Sequence, residues 1–251
     1  MIGKSLMRET KQLINGFGHK VAHGCGVDYY RYTAANVPGL RRARIIDALG
    51  ITTVLDVGAH DGGYGCELRG YGYRGRILSF EPLREPFHKL CRRARVDPWN
   101  WTAQQIGLGD RHETMTIHVS GHPSSSSLLN MTSVHINACP KSAYIDEEQI
   151  RVQRLDATVS TTEIKGPIFL KIDVQGYEDA VLRGAGQVLK QVDFLEIEVS
   201  YRPLYSGQVL FDGIHQLLAQ AGFRFAGNLD SMLSPLDGSI LQSDALFIRN
   251  I

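Results

Sequence analysis

Thr53-Val54-Leu55-Asp56-Val57-Gly58-Ala59-His60-Asp61-Gly62-Gly63 is the most informative stretch of the 251-residue chain. Its first five residues are apolar or β-branched apart from Asp56, a composition that reads as a short buried strand. Gly58 then lets the chain turn sharply and lets a ligand meet the backbone without a Cβ in the way. Gly62 and Gly63 lead into a helix N-terminus. Strand, glycine turn and helix in that order open a βαβ unit. In open α/β sheets, ligands sit just beyond such strand ends.

Downstream the same rhythm repeats. Strands are expected over residues 76–80 and 99–106, with a helix over 85–95 between them. Two more strands over 167–174 and 193–199 flank a helical 177–189. A helix over 211–221 closes at Gly222, and strands over 223–226 and 245–249 finish the chain. Apolar strands alternating with amphipathic helices imply a mostly parallel sheet covered on both faces.

Upstream, residues 38–49 read as a helix with Pro38 near its start and Gly50 just past its end. Ile2, Leu6, Leu13 and Ile14 recur at helical spacing among basic residues, so residues 2–15 are expected as a helix docked on its own domain or on a second copy of the chain. Glycines between Gly16 and Gly26 suggest a hinge. One segment breaks the rhythm. Residues 115–119 alternate like an exposed strand, a serine run follows at Ser124-Ser125-Ser126-Ser127, and irregular chain continues to about Glu148 before a strand over 150–155. It reads as an insertion, about 111–149, over the open end of the sheet.

Bulk properties exclude several classes. A formal net charge of +1 leaves no electrostatic footprint for nucleic acid. Arg41-Arg42-Ala43-Arg44 and Arg92-Arg93-Ala94-Arg95 read as solvated helix faces. Cys25, Cys66, Cys91 and Cys139 are far apart and form no C-x-x-C pair, so they are expected as free thiols in a reducing compartment. Lys4, Arg8, Glu9 and Lys11 interrupt any apolar leader, and no long apolar run follows, so neither a signal peptide nor a membrane span is expected. A cytoplasmic protein is the default reading.

The strand ends carry the chemistry. Asp56 is a carboxylate in an otherwise apolar strand, where burial demands a partner; it is placed to orient the turn or to answer an ammonium group. Glu81, in Ser79-Phe80-Glu81-Pro82, ends the next strand 25 positions later. A carboxylate there suits the two hydroxyls of a ribose. Ile106-Gly107-Leu108-Gly109-Asp110 offers backbone and apolar atoms for an adenine. A dinucleotide fingerprint needs G-x-G-x-x-G, whereas the turn here is Gly58-Ala59-His60-Asp61-Gly62-Gly63 with an acid inside it. Asp61 disfavours a pyrophosphate but tolerates S-adenosylmethionine, which carries a sulfonium and an ammonium and no phosphate. The expected cofactor contacts are therefore Asp56, Gly58, Ala59, His60, Asp61, Gly62, Glu81, Pro82, Gly107, Leu108 and Asp173. An NAD-dependent dehydrogenase and a non-catalytic cofactor-binding scaffold are the competing readings.

These segments, with Arg154-Leu155-Asp156 and above all Leu170-Lys171-Ile172-Asp173-Val174-Gln175-Gly176-Tyr177-Glu178 followed by Val181-Leu182-Arg183-Gly184-Ala185, resemble the FkbM-type methyltransferase family from about Thr53 to Arg249. The resemblance implies a Rossmann-like class I fold, a seven-stranded mostly parallel sheet with helices on both faces and a reversed last strand. It also implies O-methylation of a sugar, glycolipid or other natural-product hydroxyl. It divides the chain into an N-terminal helical extension, 1–50, and a methyltransferase domain, 51–251. The family's usual acid before the glycine is Gln175 here.

An aliphatic hydroxyl is a weak nucleophile, so methyl transfer to one calls for a base or a metal. Asp173 ends an apolar strand beside the expected cofactor and is the leading candidate base, with Glu198 second. Glu196 and Glu198 alternate on the neighbouring strand, and with Asp173 they are placed to hold Mg²⁺. His118, His122 and His135, on or near the insertion, and Tyr201 are lesser candidates.

Overall fold

The computed structural model describes Cys25 and residues 32–250, apart from 123, 161, 163 and 165. The helix expected over residues 2–15 and nearly all of the hinge lie outside the described residues. Helix α1 (Pro38–Leu49) leads into β1 (Thr53–Val57), α2 (Gly63–Gly70), β2 (Arg76–Phe80), α3 (Arg84–Val96) and β3 (Trp101–Gln104). The chain then leaves the main sheet through β4 (Gly107–Leu108), β5 (Glu113–Ser120), α4 (Ser133–Ala138) and β6 (Tyr144–Gln153), and returns by α5 (Leu155–Thr158). It ends with β7 (Ile168–Ile172), α6 (Glu178–Gly184), β8 (Val192–Ser200), α7 (Phe211–Gln220), β9 (Phe223–Leu233) and β10 (Ile240–Arg249).

The main sheet has seven strands in the order β3-β2-β1-β7-β8-β10-β9. β10 runs antiparallel to both of its neighbours, while β1, β2, β3, β7 and β8 pair in parallel. Because side chains alternate across a strand, each apolar strand feeds two cores. Leu55, Leu170 and Leu195 pack on one face with Val181, Ile214 and Leu218 of α6 and α7. Val54, Phe169 and Phe194 pack on the other with Ile46, Leu68 and Leu90 of α1, α2 and α3. Helices thus cover both faces, as the sequence suggests, and α1 shares a core with the strands that follow it.

Four details differ from the sequence reading. Strand β3 stops at Gln104, and Gly107–Leu108 pairs instead with Val152 and Gln153 of β6 in a separate three-stranded sheet, β4-β6-β5. The segment expected to be irregular up to Glu148 carries helix α4 and ends in the first half of β6. β6 begins at Tyr144 and runs antiparallel to β5, with its charged Asp146 and Glu147 exposed. The helix expected to reach 189 stops at Gly184. A Cβ there would lie 1.8 Å from the carbonyl oxygen of Gly109, and a 3₁₀ turn at Val188–Gln191 follows. Finally, the cluster around Arg41 is not simply a solvated face. Arg41 donates to the carbonyls of Ala226 and Asn228, and Arg42 is buried in a paired grip on Glu196 at 2.6 and 2.8 Å. Of this cluster, Arg44 is exposed.

Among the described residues, the cysteines are free thiols, and no helix is long and apolar enough to cross a membrane.

Candidate active site

Strand register sets the site. Ser79, Asp56, Lys171 and Glu196 are neighbours across β2, β1, β7 and β8, a row of polar groups through an otherwise apolar sheet. Asp56 is fully buried. Its Oδ2 accepts from the Ser79 hydroxyl at 2.9 Å, and that hydroxyl in turn accepts from Trp101 Nε1 at 3.0 Å. Asp56 Oδ1 has no hydrogen-bond donor but lies 3.8 Å from Lys171 Nζ. Burial lifts the Asp56 carboxyl above its ordinary range, against the pull of Lys171 and Ser79. Burial works against the Lys171 charge, yet Asp173 and Asp56 hold its ammonium above the usual lysine range.

The turn after β1 approaches β7 very closely. Gly58 has φ 78°, and a Cβ on it would stand 1.8 Å from the Asp173 carbonyl oxygen. The turn also consumes its own backbone donors. Gly58 and Ala59 N–H donate to Phe80 O, His60 to Glu81 Oε2, Gly62 to Ala59 O and Gly63 to Asp61 Oδ1. A pyrophosphate cradle needs such N–H groups free at the helix N-terminus, and five of the six from 58 to 63 are committed. Asp61 also pairs with Arg93 at 2.9 Å, so its own charge is a weaker objection to phosphate than the spent donors.

Two clefts open on either side of this turn. The first is lined by Gly58, Glu81, Pro82, Gly107 and Leu108, with an apolar wall that includes Phe80, Ile106, Ile117 and Leu128. Ser124, Ser126 and Leu128 come from the insertion, which therefore roofs this cleft. Both Glu81 oxygens accept a backbone N–H, from His60 at 2.8 Å and Leu83 at 2.9 Å. Burial pushes this carboxyl up to about 7, against those two bonds. The second cleft is lined by Arg42, Ala59, Asp61, Tyr64, Lys171 and Glu196, and by Asp230 and Asp244 from β9 and β10. Burial, then the nearby Glu196 and Asp173, lift Asp244 to about 7.

Gly58, His60 and Asp173 belong to both clefts. Gly62 and Asp56 line neither; Gly62 precedes α2, and Asp56 lies beneath the turn. Asp110, at the end of the segment expected to meet an adenine, pairs with Arg183 and Arg111.

The acids expected to hold Mg²⁺ do not gather around one point. Glu196 is spoken for by Arg42. Asp173 Oδ1 and Glu198 Oε2 both face Nε2 of Gln175, at 2.8 and 2.7 Å, a pair of donors where a shared cation would have to sit. Among the described residues, no three His, Cys, Asp or Glu side chains are arranged to hold a metal ion. His118, His122, His135 and Tyr201 line neither cleft. His118 stacks on Tyr144, His135 is buried against Tyr205, and the Tyr201 hydroxyl bonds Ser243 and Asn228. Lys171, Gln175, Tyr205 and Asp244 were not singled out from sequence as site residues. For Lys171 the signal was available: a lysine within an apolar strand, two positions before Asp173.

This strand order, with one reversed strand and a cleft at the ends of β1, β2 and β7, defines a Rossmann-like class I methyltransferase fold. The chain belongs to the FkbM methyltransferase family, whose model, described as the methyltransferase FkbM domain, matches residues 56–225. A similar curated protein is the 2-O-methyltransferase NoeI of Sinorhizobium fredii, 23% identical over 172 residues, which span 66% of this chain and 70% of that protein. Among solved structures, magnesium protoporphyrin IX methyltransferase from Synechocystis with bound S-adenosylmethionine aligns with a TM-score of 0.45 at 10% identity, covering 89% of this chain and 86% of that one. The Burkholderia thailandensis 1,6-didemethyltoxoflavin-N1-methyltransferase with S-adenosylhomocysteine aligns at 0.44 and 13% identity, covering 97% and 90%.

Proposed function

We propose that the chain is an S-adenosylmethionine-dependent O-methyltransferase whose acceptor is a hydroxyl of a sugar, glycolipid or other natural product. The carrying observation is that Asp173 is the acid common to both clefts. The surroundings fit the donor. Each Glu81 oxygen accepts one N–H and keeps a lone pair for a ribose hydroxyl. Ile106, Leu108 and Phe80 offer an apolar bed for adenine. Lys171, Arg42, Asp61 and Asp244 line the second cleft, a mix of charges that suits an amino-acid carboxylate and ammonium. The committed donors of the turn argue against a dinucleotide. The relative named as a 2-O-methyltransferase supports oxygen as the methyl acceptor.

When bound, S-adenosylmethionine supplies an electrophilic methyl group and departs as the neutral thioether S-adenosylhomocysteine. The residues of the chain do the rest. Asp173 takes the proton of the acceptor hydroxyl as its oxygen bonds to the methyl carbon. Lys171 Nζ, 3.3 Å from Asp173 Oδ2, donates to that carboxyl and holds it at the junction of the clefts. The insertion roof excludes water from the first cleft.

Calorimetry with S-adenosylhomocysteine tests the donor site: Glu81→Ala abolishes binding, and unchanged affinity sinks the assignment. Incubation with labelled donor and a panel of glycosides, read by mass spectrometry, identifies the acceptor. Asp173→Asn then keeps donor binding but loses turnover by about 10²-fold or more; full turnover removes Asp173 as the base.

A further inference from the structure

The left-handed turn after β7 holds a side chain whose every polar atom is used. Gln175 has φ 56°, an uncommon conformation for a residue other than glycine, and is 8% exposed. Its Nε2 donates to Asp173 Oδ1 at 2.8 Å and to Glu198 Oε2 at 2.7 Å. Its Oε1 accepts from the Tyr205 hydroxyl at 2.7 Å, and its backbone carbonyl accepts from Ser127 Oγ at 2.6 Å. The tyrosine therefore fixes which way the amide points, because a flipped amide would set its oxygen against two carboxylates. Tyr205 is 1% exposed and packs edge-on against His135, so this orientation is locked from the insertion side.

We propose that Gln175 is a positioning residue for the transfer reaction, holding Asp173 and Glu198 apart as two hydrogen-bonded acceptors on one amide. The inference rests on the reading of Asp173 as the base. Both amide hydrogens are engaged, so each facing carboxyl oxygen serves as an acceptor. The proton gained from an acceptor hydroxyl goes to an Asp173 lone pair that Gln175 does not occupy. An acid at this position, as the family resemblance would have it, sets three carboxyl groups within hydrogen-bonding distance. Such groups do not all ionise, and one proton is retained among them.

Carbon-13-detected NMR titration of the Asp and Glu carboxyl groups, with S-adenosylhomocysteine bound, tests this. Asp173→Asn and Glu198→Gln spectra assign the pair. Gln175→Glu is isosteric, so the strained backbone is unchanged. Proton uptake by the Asp173–Glu198 pair is expected to move up by at least one pH unit while calorimetric affinity for S-adenosylhomocysteine stays within about twofold of wild type. A pair that titrates as in wild type overturns the proposal, as does a parallel loss of donor affinity, which would make Gln175 a donor-site residue. If Gln175→Glu does not fold, Tyr205→Phe poses the same question by freeing the amide to rotate. It is expected to move the same titration, and an unchanged curve overturns the proposal equally. The base assignment fails separately, through an Asp173→Asn variant that still transfers methyl groups, and that result leaves the titration behaviour intact.

Discussion

A Cβ on Gly58 would stand 1.8 Å from the carbonyl oxygen of Asp173, so the turn after β1 and the end of β7 touch backbone to backbone. The contact brings the donor-side turn and the candidate base to one point. Gly58→Ala must push the two apart and adopt φ 78° with a side chain present. The expected cost is about 1–3 kcal/mol of stability and at least tenfold in affinity for S-adenosylhomocysteine. Thermal denaturation and calorimetry read the two effects, and an alanine variant that binds normally removes the contact as an organising feature.

Glu81 gives the site a pH dependence whose two parts have opposite signs. Its folded-state carboxyl lies at about 7, above the ordinary 4.5. Stability from this group is full below pH 4.5 and is lost as pH rises through 7. Glu178 and Asp244, also near 7 through burial, act in the same direction. The donor-free protein is therefore expected to melt higher at pH 5.5 than at pH 8. Donor binding runs the other way, because ribose hydroxyls need the carboxylate as acceptor. At pH 6 about one Glu81 in ten is ionised, so affinity for S-adenosylhomocysteine falls about tenfold from pH 8 to pH 6. Glu81→Gln abolishes that slope, and a slope that survives in the variant assigns it to another group.

Lys171 holds two acids at once, at 3.3 Å from Asp173 and 3.8 Å from Asp56. Lys171→Met fills the space but leaves the fully buried Asp56 without a countercharge. Removing one member of a buried pair costs about 3–5 kcal/mol, which lowers the Tm by roughly 6–20 °C in a chain of this size. Burial already lifts the Asp56 carboxyl, and losing Lys171 lifts it further. Its raised folded value means stability is lost as pH rises, so the deficit is larger at pH 8 than at pH 5. An equal deficit at both values points to lost packing instead of a stranded charge.

The sequence exposed the sheet more clearly than the site. Strands β1, β2, β7 and β8 are apolar runs buried on both faces, and such runs are visible without neighbours. The first half of β6 escaped notice because Asp146 and Glu147 are exposed there, where no apolar alternation marks a strand. Asp56, Glu196 and Glu198 stood out as charges in apolar strands. Their partners did not, since Arg42 reaches Glu196 across 154 positions and Lys171 meets Asp56 only through strand register. The metal reading failed for the same reason: alternation places Glu196 and Glu198 on one face, but says nothing of the guanidinium and amide that occupy them. Gln175 was legible as a departure from the family pattern, while its role depends on Tyr205, thirty positions away.

His135 offers a test of the insertion that roofs the first cleft. It is 1% exposed, and neither ring nitrogen has a hydrogen-bond partner. It packs edge-on against Tyr205 at 5.1 Å, and Tyr205 clusters with Leu204 and Leu241. Burial, and then His122, depress its affinity for a proton below the ordinary 6.5. Its contribution to stability is therefore present above pH 6.5 and is lost as pH falls through its lowered folded value, opposite in sign to Glu81. His135→Leu removes two stranded nitrogens, worth about 1–3 kcal/mol, at the expense of an aromatic contact worth about 0.5–1.5 kcal/mol. The variant is expected to raise the Tm, by more at pH 5.5 than at pH 8. A lower Tm at both values would mean that the ring nitrogens are hydrogen-bonded in solution and that the imidazole helps to hold Tyr205 in place.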